Sequence, residues 1–245
     1  MGTAADSGPA PGGPGPDGDL DWLVVRGRGR SASRVLDVAA RSLDTARAFS
    51  AFTPRVVVAT TAASMQGAAS PATAASAHAL HLIAADALEL PFRDGAFGVV
   101  TCRSTAHCFR ELLPALRQIA RVLRPGGALL LAERLAHDDT DATAFMGEIE
   151  RRRDPTHVRA FRPLEWTAFL RAAGLTVIDD VVLVRTRGWD DWVRSAGLDA
   201  GARRELDRYV LAAPAPHREA FHFALDGDRI VSFTEETLAL RADKD

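Results

Sequence analysis

His107, His157, Arg159, Asp37 and Asp86 are the side chains whose types and positions could carry chemistry. His107 lies just past a valine-rich run, Gly98 to Cys102, that reads as a buried strand. A histidine at that mouth can act as a general base if its pKa is near neutrality and it reaches an acceptor proton; the alternative is a packing histidine at a helix start. His157 and Arg159 sit in the basic segment Arg153 to Arg159, suited to covering a site and gripping an acidic substrate, or else to a salt-bridged surface turn with Asp154. Asp37 and Asp86 each end an apolar run, where a carboxylate binds a ligand or caps the next turn. Cys102 reads as a small buried apolar group. The only lysine is Lys244, so no candidate exists for a Schiff base or a pyridoxal-phosphate anchor. The histidines show no metal-ligand spacing, and no metal is expected.

Positioning these groups requires alternating strands and helices. Val35–Val38 reads as a strand followed by a tight turn and a helix over 41–52, with apolar residues at Leu43, Ala46, Phe49 and Phe52. Such a turn, where it holds a nucleotide-type cofactor, is rich in glycine so that backbone can lie against the ligand. Ala39, Arg41 and Leu43 fill those positions here. Further strands are expected at 55–60, 80–84, 98–102 and 128–135, with helices over 65–78 and 112–123, the second stopped by Arg124-Pro125-Gly126-Gly127. That alternation implies a parallel sheet covered on both faces. Beyond 140 the pattern gives helices at 141–153 and 163–173, a strand at 175–184, broken helices over 189–223 and a last strand at 229–240.

The chain of 245 residues, 47% hydrophobic, is long enough for one large core. Residues 1–18, rich in Pro, Gly and Ala, read as a disordered tail, leaving 19–245 as a single domain with a helical insertion at about 189–223. A net charge of -2 gives no general attraction to nucleic acid or anionic lipid, and Arg26-Gly27-Arg28-Gly29-Arg30 reads as a solvated basic linker. No apolar run is long enough to span a bilayer. Two cysteines suit reduced thiols in a cytoplasmic protein. The expected partner is a small molecule.

Three segments in this order carry a resemblance: Asp86 to Val100, containing Leu90-Pro91-Phe92; Cys102-Arg103 with His107 and Phe109; and Arg121 to Gly127. Over Arg34 to Val184 the sequence resembles class I S-adenosylmethionine-dependent methyltransferases of the small-molecule branch that includes ubiquinone and menaquinone biosynthesis. The resemblance implies a Rossmann-like fold: a seven-stranded, mostly parallel sheet in the order 3-2-1-4-5-7-6, helices on both faces. It also implies S-adenosylmethionine as cofactor. By position, Asp86 matches the acid that takes the adenine amino group and Ala87 a backbone donor. Cys102 and Arg103 match backbone beside the methionine part, and Asp37 matches the acid of the first motif. Two departures accompany these matches: the glycine positions hold Ala39, Arg41 and Leu43, and Thr60 stands where the family has an acid for the ribose hydroxyls. The function implied is methyl transfer to a small molecule with His107 as base. The alternative is a methyltransferase fold that has given up the cofactor, for a cyclisation, a proton transfer or non-catalytic binding.

Overall fold

The structure, a computed structural model, describes residues 18–29, 34–61 and 80–245. Five parallel strands form one side of the sheet: β1 (Val35–Val38), β2 (Val56–Thr60), β3 (Leu80–Ala84), β4 (Phe97–Arg103) and β5 (Leu123–Arg134). β1 is buried at every position and β4 at all but Arg103, as strands covered on both faces must be. Two long strands, β6 (Leu175–Gly188) and β8 (Arg229–Lys244), complete the sheet, and a short β7 (Ala224–Asp226) forms a hairpin with β8. The order is β3-β2-β1-β4-β5-β8-β6, with β8 antiparallel to both neighbours. This is the expected order, β8 being the seventh long strand. The strand sequence reverses direction between β1 and β4, and a crevice opens at the carboxyl ends there.

Helices cover both faces: α1 (Gly18–Arg28), α2 (Asp44–Ser50), α3 (Leu112–Val122), α4 (Thr140–Arg153) and α5 (Pro163–Ala172). On α3, Leu112, Ala115, Leu116, Ile119 and Ala120 bury one stripe at three- and four-residue spacing, and Pro114 falls in the first turn. Three more helices, α6 (Trp189–Arg194), α7 (Ala200–Ala212) and α8 (Ala215–Ala220), join α4 around Phe145, Ile149, Trp189 and Phe233. β5 pairs with β8 as far as Thr237, while β6 continues pairing to Ser232. The β6–β8 ribbon therefore rises past the carboxyl end of β5. Its Ile230 and Phe233 anchor the helices there, above the crevice.

Two expectations are corrected. Arg26 to Arg28 is the last turn of a helix and not a solvated linker: Arg26 Nε bonds Asp179 Oδ2 at 2.9 Å and stacks over Trp22. Gly27 is required there, since a Cβ would stand 2.4 Å from Phe49 Cε1. Gly18 opens that same helix and does not end a tail. The remainder of the tail, the end of the basic segment and the helix expected over 65–78 lie outside the described residues. No described helix is long and apolar enough to cross a membrane.

Candidate active site

At the end of β1, Asp37 is buried, and Thr101 Oγ1 donates to its Oδ1 at 2.7 Å. Its Oδ2 is buried without a partner. Burial pushes the carboxyl up to about 7, against the pull of Thr101 and Arg103. Next, Ala39 has φ of 56°, the left-handed conformation that glycine adopts freely and an L-residue adopts at roughly 1 kcal/mol or more. The glycine is gone, but the turn it shapes remains. Thr60 Oγ1 donates to Ala40 O at 2.6 Å and pins that turn to β2. Asp86 follows β3, exposed, its Oδ1 accepting from Leu88 N at 2.9 Å. Ala39, Thr60, Asp86 and Ala87 line one cavity of about 820 Å³. Leu43 does not join them; it is buried among Leu23, Ala46 and Phe49.

β4 ends in a second left-handed residue, Ser104, and a single 3-10 turn over Ala106–Cys108 presents His107. Beneath it lies Glu133, fully buried near the end of β5. Glu133 Oε1 accepts from the backbone N of Thr105 and of Ala106 (2.6 Å), and His107 Nδ1 donates to Oε2 at 2.8 Å. Burial disfavours the imidazolium, but Glu133 and the neighbouring Cys108 outweigh it and raise the His107 pKa to about 10. At neutral pH His107 is a cation. Cys108 is opposed by burial, yet His107 and Thr156 hold its thiol below the ordinary value, with Arg41 adding to the effect. Cys102, by contrast, is a core residue whose thiol is raised by burial.

The segment after α4 folds back over this turn: Val158 N and Arg159 N both donate to His107 O, at 2.9 and 3.2 Å. Asp154 accepts from Thr156 N (3.0 Å) and Oγ1 (2.6 Å) and pairs with Arg41. Those bonds hold its carboxyl at about 2 despite partial burial. The result is a clasp in which Arg41, at a glycine position, ties the β1 turn to the covering segment. His157 sits under the clasp, 6% exposed, its ring 5.3 Å from that of His107. Neither ring nitrogen has a partner, and burial lowers its pKa to about 4. His157 is the neutral imidazole of the site. Arg159 departs from the grouping: it pairs with Glu165, lies over Phe161 at 4.2 Å and borders only a side cavity of about 230 Å³.

A further cavity of about 560 Å³ adjoins the first, and Arg41, Pro155 and His157 line both. Asp37, Arg103 and His107 also line it. Its outer wall is a network absent from the sequence expectations. Asp19 serves Arg103 (2.6 Å) and Arg185; Glu235 serves Arg187 (2.6 Å) and Arg134; Glu150 serves Arg134 and, at 3.6 Å, Arg153. The two arginines hold Asp19 at about 2 against its burial. Glu133-Arg134, a charged pair closing the apolar run of β5 on the mouth side of the sheet, was the signal that sequence offered. Asp19, Glu150 and Glu235 carried none, because long-range packing alone brings them together. Among the described residues no cluster of His, Cys, Asp and Glu suits a metal ion.

An open α/β sheet with two cavities at its switch point has the ligand-site geometry of doubly wound folds. Residues 36–131 match the methyltransferase domain family. The uncharacterized methyltransferase YcgJ of Bacillus subtilis is 30% identical over 209 residues, covering 85% of this chain and 83% of its own. The crystal structure of YcgJ superposes with a TM-score of 0.84 at 28% identity, covering 92% of this chain and 97% of that one. A ubiquinone/menaquinone biosynthesis C-methyltransferase from Dinoroseobacter shibae is 35% identical over 121 residues, 48% of this chain and 47% of its own. The chain belongs to the class I S-adenosylmethionine-dependent methyltransferase family.

Proposed function

We propose that the protein transfers a methyl group from S-adenosylmethionine to a small molecule, with the cofactor in the 820 Å³ cavity and the acceptor in the 560 Å³ cavity. The observation that carries this is the shared wall: two cavities of ligand size meet at Arg41 and His157. The cofactor's fit rests on three features. Ala39 keeps the glycine conformation, so backbone still floors the cleft. Asp86 and Ala87 line the same cavity and would take adenine. Asp37 lines the adjoining 560 Å³ cavity, and where the methionine end of the cofactor reaches past Arg41 its buried, unpaired carboxyl oxygen would meet the cationic amino group, whose charge would draw off the proton that burial retains. Thr60 bonds the turn and not a ribose, which leaves the ribose with one anchor fewer. When bound, S-adenosylmethionine supplies an electrophilic methyl group.

The chain's own work is then positioning. His107, expected from sequence as the base, holds its proton on Glu133 up to about pH 10 and so serves as a fixed cation. His157, neutral and unpartnered where the cavities meet, has a pKa of about 4 and ring nitrogens closed to solvent, so it serves as a positioning wall between the two reactants and not as the base. Arg159, expected to hold substrate, acts on the covering segment from outside. Calorimetry with S-adenosylhomocysteine and S-adenosylmethionine tests the cofactor half of this proposal. A one-to-one complex in the micromolar range is expected, and millimolar or absent binding would favour a fold that no longer uses the cofactor.

A further inference from the structure

Resting on the function proposed above, we infer that the 560 Å³ cavity selects an acceptor bearing a carboxylate or phosphate group, held by Arg153 and Arg187. Six arginines line this cavity against five carboxylic acids. One of the five, Asp37, is held close to neutral pH by burial and is only partly ionised there. His107 is cationic as well, but Glu133 beneath it cancels that charge. Positive charge is therefore in excess on walls whose arginines, Arg41 apart, are only partly exposed.

The excess falls on two side chains. Arg134 engages both Glu150 and Glu235, leaving Arg153 and Arg187 to share carboxylates already in use. Arg153 lies 3.6 Å from its carboxylate; its shorter bonds go to uncharged groups, Trp192 O at 3.1 Å and Ser195 Oγ at 2.9 Å. Burial and the neighbouring Arg134 and Arg41 also disfavour its charge, a strain that a bound anion would relieve. Arg187 makes one bond, to Glu235 Oε1, and 35% of its side chain is exposed. A guanidinium carries five N–H donors, so both retain donors for the forked pairing that carboxylates and phosphates accept. Trp192 lines the same cavity beneath Arg153, whose guanidinium lies over its ring at 4.3 Å and is thereby held in place for an anion.

Calorimetry on the full chain at pH 7, in low and in physiological salt, with benzoate, phenyl phosphate and benzamide as probes, tests the inference. Both anions should bind at one site, more weakly as salt rises, and benzamide, the uncharged analogue, should bind at least tenfold more weakly than benzoate. Whether benzoate or phenyl phosphate binds tighter tells a carboxylic acid from a phosphate ester. Arg153→Gln and Arg187→Gln should each weaken anion binding at least tenfold while leaving S-adenosylhomocysteine affinity unchanged. Both variants should stay folded, with a lowered melting temperature, because Arg134 still holds Glu150 and Glu235; Arg153→Lys and Arg187→Lys, which keep the charge, should lose less of both stability and anion binding. Benzamide binding within threefold of benzoate, no binding of either anion, or anion binding indifferent to both substitutions overturns the inference. Failure of S-adenosylhomocysteine to bind, with anion binding as described, overturns the cofactor assignment instead.

Discussion

The two cavities are built by opposite means. The 820 Å³ cavity, proposed for the cofactor, is shaped by backbone, with a left-handed Ala39, a turn pinned by Thr60 and the exposed carboxylate Asp86. The 560 Å³ cavity, proposed for the acceptor, is made from charged side chains arriving from α1, β5, α4, β6 and β8. Backbone shape tolerates replacement of the residue that first required it, since a few hydrogen bonds can hold an unfavourable φ. A buried ion network tolerates little, because removing one member strands another's charge. The departures from the family pattern lie on the tolerant side.

Glu133→Gln should break the acceptor side most. It leaves His107 without its counter-ion and weakens the bonds from Thr105 and Ala106, at about 3 kcal/mol by denaturant titration. Leu43→Ala, at a position that sequence groups with the cofactor turn, should cost a comparable 2 to 4 kcal/mol because Leu43 is core; its effect on S-adenosylhomocysteine binding should be slight. Ala39→Gly should act in the opposite sense, stabilising the fold by about 0.5 to 1 kcal/mol as the left-handed strain is relieved, and tightening cofactor binding a few-fold. Asp86→Ala should leave the melting temperature in place and weaken cofactor binding about tenfold, the effect of losing one hydrogen-bonded acceptor.

The pH dependence of stability separates the same groups. His107 has a folded pKa raised to about 10, so its contribution is complete below about 6.5 and is lost as pH rises through 10. Asp37, raised to about 7, is complete below its unfolded value of 3.8 and is lost as pH rises through 7. His157, lowered to about 4, acts against these: the unfolded chain takes up its proton first, and stability falls as pH drops from 6.5 towards 4. Asp19 and Asp154, at about 2, are lost only as pH falls below 3.8. Thermal melts should therefore decline from pH 7 to 10, and Glu133→Gln should flatten that decline.

Strands, the α3 stripe and the sheet order were legible in the sequence because each rests on local periodicity or on motif order. The resemblance set Asp37, Ala39, Thr60 and Asp86 at or beside strand ends, and the structure has them there. His157 was expected in a loop that grips an acidic substrate, and sequence carried nothing about its protonation: that depends on burial under a clasp between Arg41 and Asp154, residues 113 positions apart. Glu133 and Arg134 were visible only as charges ending an apolar strand, and Asp19 lay at the border of what composition marked as a tail. α1 itself was missed because Gly18, Gly27 and Gly29 argue against a helix unless Phe49 is known to press on Gly27.

His157, on the wall shared by the two cavities, is a neutral imidazole, while His107 is a cation tied to Glu133. Imidazole ¹H–¹⁵N spectra of the full chain, assigned with His157→Gln and His107→Gln and followed from pH 5 to 9, test it most directly. The account predicts that His157 stays neutral throughout and shifts with both S-adenosylhomocysteine and benzoate, and that His107 stays protonated up to at least pH 8. A His157 that titrates near 6.5 and responds to neither ligand would contradict it.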